Sequence, residues 1–173
     1  LVEDIIKLSQ LDEGEQAVEM TQIDLYDLTK IELRHLEPVA EEKHVAISLE
    51  GEHVMVSGIH SVLEEMVYNL IENAIKYNKE DGTIDIAIKK EKHRCEFSVK
   101  DSGIGIPEDQ LDRIFERFYR VDKSHSKEIG GTGLGLAITK SSIAMHHGAI
   151  KVFSREGEGT TFSVRIPLSY IPS

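Results

Sequence analysis

Tryptophan is absent from the 173-residue chain, and cysteine occurs once, at Cys95. One thiol cannot close an internal disulfide, which excludes a disulfide-stapled fold and suits a reducing compartment. Proline is scarce, with four residues, and no apolar run approaches the roughly 18 residues that cross a bilayer as a helix. No segment has the layout of a secretory signal. Positive charge is also short: 20 Lys plus Arg face 31 Asp plus Glu, a formal net charge of -11. That balance excludes a general grip on nucleic acid, whose phosphates require a basic face, and leaves room for a local basic pocket around a small anion. The apolar share, 40%, is enough to bury the core of one globular domain with a short appendage.

Leu1 to Leu11 carries an amphipathic stripe of Leu1, Ile5 and Leu8 that opens already inside a helix, as expected of a piece of a longer protein. Met20 to Ile23 reads as a short extended stretch. Asp24 is placed to cap a helix to about Lys43, with Leu25, Leu28, Ile31 and Leu36 as its apolar stripe and Pro38 as a break or kink. Val45 to Leu49 and His53 to Val56 read as strands joined by a turn at Gly51-Glu52. A long helix is expected from Ser57 to about Asn78. The Asp81-Gly82 turn follows, then strands at Thr83 to Lys89 and Cys95 to Val99, with Cys95 in the core. Leu111 to Phe118 is expected as a short helix, and Leu134 to His147 as a longer one stopped by Gly148. Ala149 to Ser154 and Thr160 to Ile166 form a closing hairpin. This order predicts an α/β (α+β) two-layer sandwich, a mixed sheet with helices packed on one face.

On the long helix Leu63, Val67, Leu70 and Ala74 make the apolar stripe, while Asn69, Asn73 and Lys76 share the adjoining face. Two amides and an ammonium are poor core material. They suit a metal-bound polyphosphate, since an amide oxygen ligates Mg²⁺ and an ammonium offsets phosphate charge. A solvated helix face accounts for them equally well. Asp101-Ser102-Gly103-Ile104-Gly105-Ile106-Pro107 follows a strand directly. Alternate glycines let the backbone approach a ligand, and an acceptor-only carboxylate can take the exocyclic amine of adenine. An ordinary Asp-Gly turn is the plainer alternative.

Gly130-Gly131-Thr132-Gly133-Leu134-Gly135-Leu136 opens a helix and frees backbone N–H groups for phosphates. Neither G-x-x-x-x-G-K-[ST] nor a G-x-G-x-x-G after a strand occurs, which disfavours a P-loop or a dinucleotide fold. Arg113, Arg117 and Arg120 surround Phe115, Phe118 and Tyr119, which can anchor a flap with cations toward a triphosphate; Arg113 reads better as solvated. Lys123 to Gly130 is expected to be mobile until ligand binds. Ile86-Ala87-Ile88-Lys89 mimics the V-A-I-K of protein Ser/Thr kinases, but no glycine-rich loop, H-R-D or D-F-G accompanies it, so it reads as an exposed strand end. His146-His147 lacks the i, i+4 spacing of metal pairs and reads as exposed or capping.

Asn69-Leu70-Ile71-Glu72-Asn73-Ala74-Ile75-Lys76-Tyr77 resembles the N box of sensor histidine kinases. Asp101 to Gly105 resembles their first glycine box, Phe115 to Tyr119 their F box, and Gly131 to Gly135 their second glycine box, all in family order between about Ile23 and Pro167. Leu1 to Asp12 resembles the end of their dimerisation and phosphoacceptor hairpin. The chain then divides into a hairpin end at residues 1–14 and an ATP-binding domain at 15–173. The resemblance implies the Bergerat fold of type II topoisomerases, the ninety-kilodalton chaperones and mismatch-repair ATPases, with a mostly antiparallel mixed sheet.

The resemblance also implies ATP and Mg²⁺, with Asn73 as metal ligand, Asn69 beside it, Lys76 on phosphate and Tyr77 lining the pocket. Asp101 then reads adenine, and Gly103, Gly105 and Ile106 shape its seat. Arg120, with Arg117, belongs at the γ-phosphate end; Gly131, Gly133, Leu134 and Gly135 close over the phosphates, and Tyr119, Thr132 and Leu136 also bind the nucleotide. Asn69, Lys76, Arg117 and Arg120 form the catalytic group. The implied partners are the phosphoacceptor/dimerisation domain of the same protein and a response-regulator receiver domain, with no nucleic acid.

None of His35, His44, His53, His60, His93, His125, His146 or His147 stands before the acidic residue, basic residue, Thr and Pro of the family's acceptor motif. The acceptor is therefore expected on a separate domain, the fragment as a monomer and the full protein as a homodimer. The fragment is expected to be the cytoplasmic portion of a membrane-anchored bacterial sensor. Two readings with the same fold stand beside this one, an anti-sigma serine kinase and an ATP-gated conformational module. The hydrolytic relatives carry a Glu where this chain has Asn69.

Overall fold

The computed structural model describes residues 20–116 and 135–169. A short strand, β1 (Thr21–Asp24), leads into α1 (Leu25–Glu42), where Asp24 caps the first turn by accepting the Asp27 N–H at 3.1 Å. Leu25, Leu28, Leu36 and Ala40 are buried as a stripe. Ile31 is 47% exposed, against expectation, because the stripe runs through Glu32 instead. Pro38 does not break α1. It lies with Glu37 and Val39 on the exposed side, where water can take the backbone carbonyl that Pro leaves without a donor.

The next two strands are not a hairpin. β2 (Ala46–Gly51) pairs parallel with β4 (Thr83–Glu91), while β3 (Met55–Gly58) pairs antiparallel with β1 in a separate two-stranded sheet. A parallel partner requires a crossover, and α2 (His60–Lys76) supplies it. Because Ser57 and Gly58 belong to β3, α2 starts later than Ser57 and ends before Asn78. The main sheet has the order β2-β4-β5-β7-β6, with β5 at Arg94–Asp101, β6 at Ala149–Arg155 and β7 at Gly159–Pro167. All its pairs but β2-β4 are antiparallel.

Strand alternation sends Ile84, Ile86, Ile88, Cys95, Phe97, Val99, Phe162, Val164 and Ile166 to one face, all buried in one core with the helices. Burial pushes the Cys95 thiol up to about 12, as expected of a core residue. α3 (Gly135–Met145) ends with the Gly148 N–H on the Ile143 carbonyl (2.9 Å) and the His147 N–H on that of Ala144 (3.0 Å), a Schellman turn. His147, not Gly148, occupies its left-handed position, at φ 60°.

Residues 111–116 do not form the expected α-helix. A 3-10 turn, Glu108–Gln110, is followed by further turns through which Ile114 inserts into the core and Phe115 meets Phe162 edge-on, centroids 6.4 Å apart. A segment this short does not sustain a helix without an amphipathic face to pack.

Candidate active site

The chain after β5 is pinned on three sides. The Ser102 N–H donates to the Thr83 carbonyl (3.1 Å), the Ile104 N–H to that of Tyr77 (3.1 Å), and the Ile106 N–H to Ser154 Oγ (2.7 Å). A Cβ on Gly103 would overlap the Tyr77 carbonyl oxygen, so only glycine lets the turn sit on the end of α2. Gly105, at φ 72°, fits against the Arg155 carbonyl, and the Gly157 N–H returns to the Ile104 carbonyl at 2.8 Å.

Asp101, 6% exposed, stands at the head of this turn. Its Oδ1 accepts the N–H groups of Gly103 (2.9 Å) and Thr160 (3.2 Å). No described residue hydrogen-bonds Oδ2. Burial pushes the carboxyl above the usual range, and the two N–H groups partly offset it. One oxygen is thus fixed by backbone and the other is left as an acceptor at a glycine-lined cradle.

Asn78 was not among the expected site residues, yet it buttresses the cradle. It is 3% exposed. Its Nδ2 donates to the Thr83 carbonyl (3.0 Å), and its Oδ1 accepts from the Lys79 N–H (2.9 Å) and Ser102 Oγ (3.2 Å). The Thr83 N–H in turn donates to Ser102 Oγ at 2.8 Å. The available signal was a polar residue placed just past a helix end and ahead of the Asp81-Gly82 turn.

Asn69, Asn73 and Lys76 are half-buried on α2. Asn69 Nδ2 lies 3.5 Å from the Gly135 carbonyl oxygen, which brings the N-box face to the start of α3, where Leu136 is also half-buried. No described residue hydrogen-bonds the Asn73 carboxamide, which leaves a hard oxygen donor on that face, as Mg²⁺ requires. Lys76 Nζ sits 3.2 Å from Glu72 Oε1. Burial and a hydrogen bond to Glu72 push the Tyr68 hydroxyl, one turn back, up to about 12.

The structure therefore gathers Asp101, Gly103, Gly105, Ile106 and Tyr77 at one end of α2, and Asn69 with Gly135 further along it. Arg117, Tyr119, Arg120, Gly131, Thr132, Gly133 and Leu134 lie outside the described residues, as do the expected hairpin end at 1–14 and the Lys123 to Gly130 segment. His146 is not exposed, but it does cap: its Nδ1 lies 2.8 Å from the Ser142 carbonyl oxygen in the last turn of its own helix. It is buried, and its Nε2 accepts the Ile59 N–H at the start of α2.

Residues 58–170 match the family model described as "Histidine kinase-, DNA gyrase B-, and HSP90-like ATPase". The chain is 34% identical over 168 residues to the sensor-like histidine kinase SenX3 of Mycolicibacterium smegmatis, covering 96% of this chain and 44% of that protein. With the sensor histidine kinase WalK of Bacillus subtilis it shares 36% over 171 residues, 96% of this chain and 28% of the relative. It thus spans less than half the length of these relatives. The catalytic domain of the histidine kinase ThkA superposes with a TM-score of 0.77 at 28% identity, over 88% of this chain and 97% of that one. Full-length ShkA, solved in complex with AMPPNP, superposes at 0.85 with 26% identity over 99% of this chain and 36% of its own. The mostly antiparallel five-stranded sheet under helices, the glycine cradle at Asp101 and these matches agree: the chain belongs to the histidine kinase-, DNA gyrase B- and HSP90-like ATPase family, as a catalytic domain of the sensor histidine kinase kind.

Proposed function

We propose that the site binds Mg²⁺-ATP and delivers its γ-phosphoryl group to a histidine of a phosphoacceptor/dimerisation domain outside this chain, for onward transfer to an aspartate of a response regulator. One observation carries the reading. Asp101 keeps one oxygen for the backbone N–H groups of Gly103 and Thr160 and leaves the other, acceptor-only, without a described partner at the head of a turn that Gly103 lets sit against the Tyr77 carbonyl. An acceptor there pairs with the amino group of adenine and repels the carbonyl of guanine.

Asn73, with Asn69 beside it, holds the metal, which offsets phosphate charge when bound. Lys76 exchanges Glu72 for phosphate, and Tyr77 lines the nucleotide pocket. Arg120, Arg117, Tyr119 and the Gly131 to Leu136 run, by likeness to the family motifs, enclose the triphosphate. The unprotonated imidazole nitrogen attacks phosphorus, an N–P bond forms as the P–O bond to ADP breaks, and the proton on the other ring nitrogen passes to a base beside the acceptor or to water. Positioning and charge neutralisation are the demands of this transfer, and amides, ammonium, guanidinium and backbone N–H groups meet them. Asn69 in place of a carboxylate leaves water without a base, which favours transfer over hydrolysis.

In this reading the whole protein is a homodimer built by its hairpin, and this portion of it is a cytoplasmic monomer when isolated. Among the described residues no helix is long and apolar enough to cross a membrane. The test is to incubate the chain with γ-labelled ATP and its parent protein's phosphoacceptor hairpin. Acid-labile, base-stable label on the hairpin is expected. Acid-stable label on a hydroxyl would move the chain to the serine kinases, and nucleotide binding with no label would make it an ATP-gated module.

A further inference from the structure

The two helices that frame the proposed phosphate end run antiparallel and touch at two places. Midway along α2, Asn69 Nδ2 meets the Gly135 carbonyl at the start of α3, at 3.5 Å. Roughly 15 Å away, at the start of α2 and the end of α3, His146 makes the second contact. It is 1% exposed. Its Nδ1 lies 2.8 Å from the Ser142 carbonyl oxygen, and the Ile59 N–H donates to its Nε2 at 3.0 Å. A carbonyl only accepts, so Nδ1 carries the proton and Nε2 is the acceptor, which fixes the ring as one neutral tautomer. Ile59 is the N-cap of α2 and has no side chain able to cap, so a ring from another helix does this work. The backbone accommodates that ring closely, since a Cβ on Gly58 would lie 2.9 Å from Nε2.

We propose that His146 is a positioning residue for nucleotide binding: its ring clasps the start of α2 to the end of α3 and so holds Asn69, midway along α2, in register with Gly135 at the start of α3. This rests on the reading of that site as the ATP site. His146 itself touches no ligand.

Protonation converts Nε2 from acceptor to donor, facing the Ile59 N–H, and opens the clasp. Burial holds the ring below the ordinary histidine value, and the neighbouring His147 adds to this. On α2, His60 is turned to Glu64, 3.6 Å away, in an exposed pair. The stability the clasp contributes is complete above the unfolded value of 6.5 and declines as pH falls below it toward the lowered folded value.

The test compares the unsubstituted chain with His146→Gln, whose amide oxygen replaces Nε2 as acceptor, and His146→Leu, which has none. ATP affinity is read by calorimetry, and protection of the Ile59 amide by hydrogen exchange. The Leu form is expected to lose Ile59 protection and to bind ATP about tenfold more weakly, with the Gln form within about threefold of the unsubstituted chain. The affinity ratio of the unsubstituted chain to the Gln form should fall between about pH 7.5 and 5.5, the titration of ATP itself cancelling. Equal binding by the Gln and Leu forms, or a ratio that ignores pH, overturns the proposal. If the Leu form does not fold, the pH comparison with Gln decides alone. A chain that binds no ATP while Ile59 stays protected sinks the nucleotide reading, and the positioning role with it, by a distinguishable failure.

Discussion

Lys43 reaches from the end of one helix to the end of the next: its Nζ donates to the Lys76 carbonyl oxygen at 2.7 Å. That carbonyl belongs to the last turn of α2, where no intrahelical N–H remains to pair with it. Burial of Lys43 lowers its pKa, so the ammonium is held there at some cost for this one acceptor. Lys43→Met keeps the aliphatic stem and orphans the carbonyl. We expect a loss of about 1–3 kcal/mol in urea unfolding. Unchanged stability would show that water satisfies Lys76 without Lys43.

Asp101→Asn separates folding from binding. Asn retains an oxygen for the Gly103 and Thr160 N–H groups and removes a buried carboxylate whose pKa is raised by its surroundings. The folded-state value lies above the unfolded 3.8, so the stability linked to Asp101 is present below that value and is lost as pH rises through the folded one. At neutral pH the Asn form should melt at or above the temperature of the native chain. Its amide N–H₂ now faces the adenine amine, donor against donor, and ATP affinity should fall about tenfold or more. Calorimetry and thermal melts on the same sample check both; a variant that is less stable yet binds ATP normally would remove Asp101 from the adenine site.

The parts of this site that sequence makes visible are local. Asp101, Gly103 and Gly105 lie within five residues, and alternate glycines after a strand announce a tight approach before any fold is known. Asn78 bonding Ser102, or Lys43 bonding Lys76, joins residues 24 and 33 positions apart, and neither pair has a spacing to notice. Strand alternation showed β2 and β3 to be extended, but it carries no information on partners, so the sequence of the pair suggested a hairpin where the fold sends them to different sheets. Ile31 failed for a related reason. A helical stripe tolerates an offset of one position, and the buried Glu32 that takes the place is the residue type least expected there.

Two glycines of the site should answer alanine with opposite signs. At Gly103 a Cβ would run into the Tyr77 carbonyl oxygen, a backbone atom that cannot swing aside, so Gly103→Ala should cost about 1–3 kcal/mol. At Gly135 a Cβ would meet nothing within 4 Å among the described residues. Gly135 begins α3, and alanine there should gain about 0.5–1 kcal/mol of helix propensity. Urea midpoints of the two variants check the pair. A destabilised Gly135→Ala would mean that the backbone at the start of α3 needs the freedom of glycine.

Glu32 makes the pH dependence of the fold testable away from the site. It is 3% exposed on the face of α1, and its nearest partner, His35 Nδ1, is 3.4 Å away. Burial raises its pKa, and Glu64 and Glu65 on α2 add like charge that the His35 contact does not cancel. The folded value thus exceeds the unfolded 4.5, so the native state binds this proton more readily. The stability tied to it is full below 4.5 and is lost as pH rises through the folded value. Glu32→Gln removes the buried charge while keeping shape and an acceptor for His35. The Gln form should be more stable than the native chain at neutral pH, with the difference shrinking as pH falls toward 4.5. Paired denaturation curves across that range decide it. A difference that stays constant with pH would assign the gain to packing, and a Gln form less stable at neutral pH would mean that the Glu32–His35 ion pair outweighs the desolvation of its carboxylate.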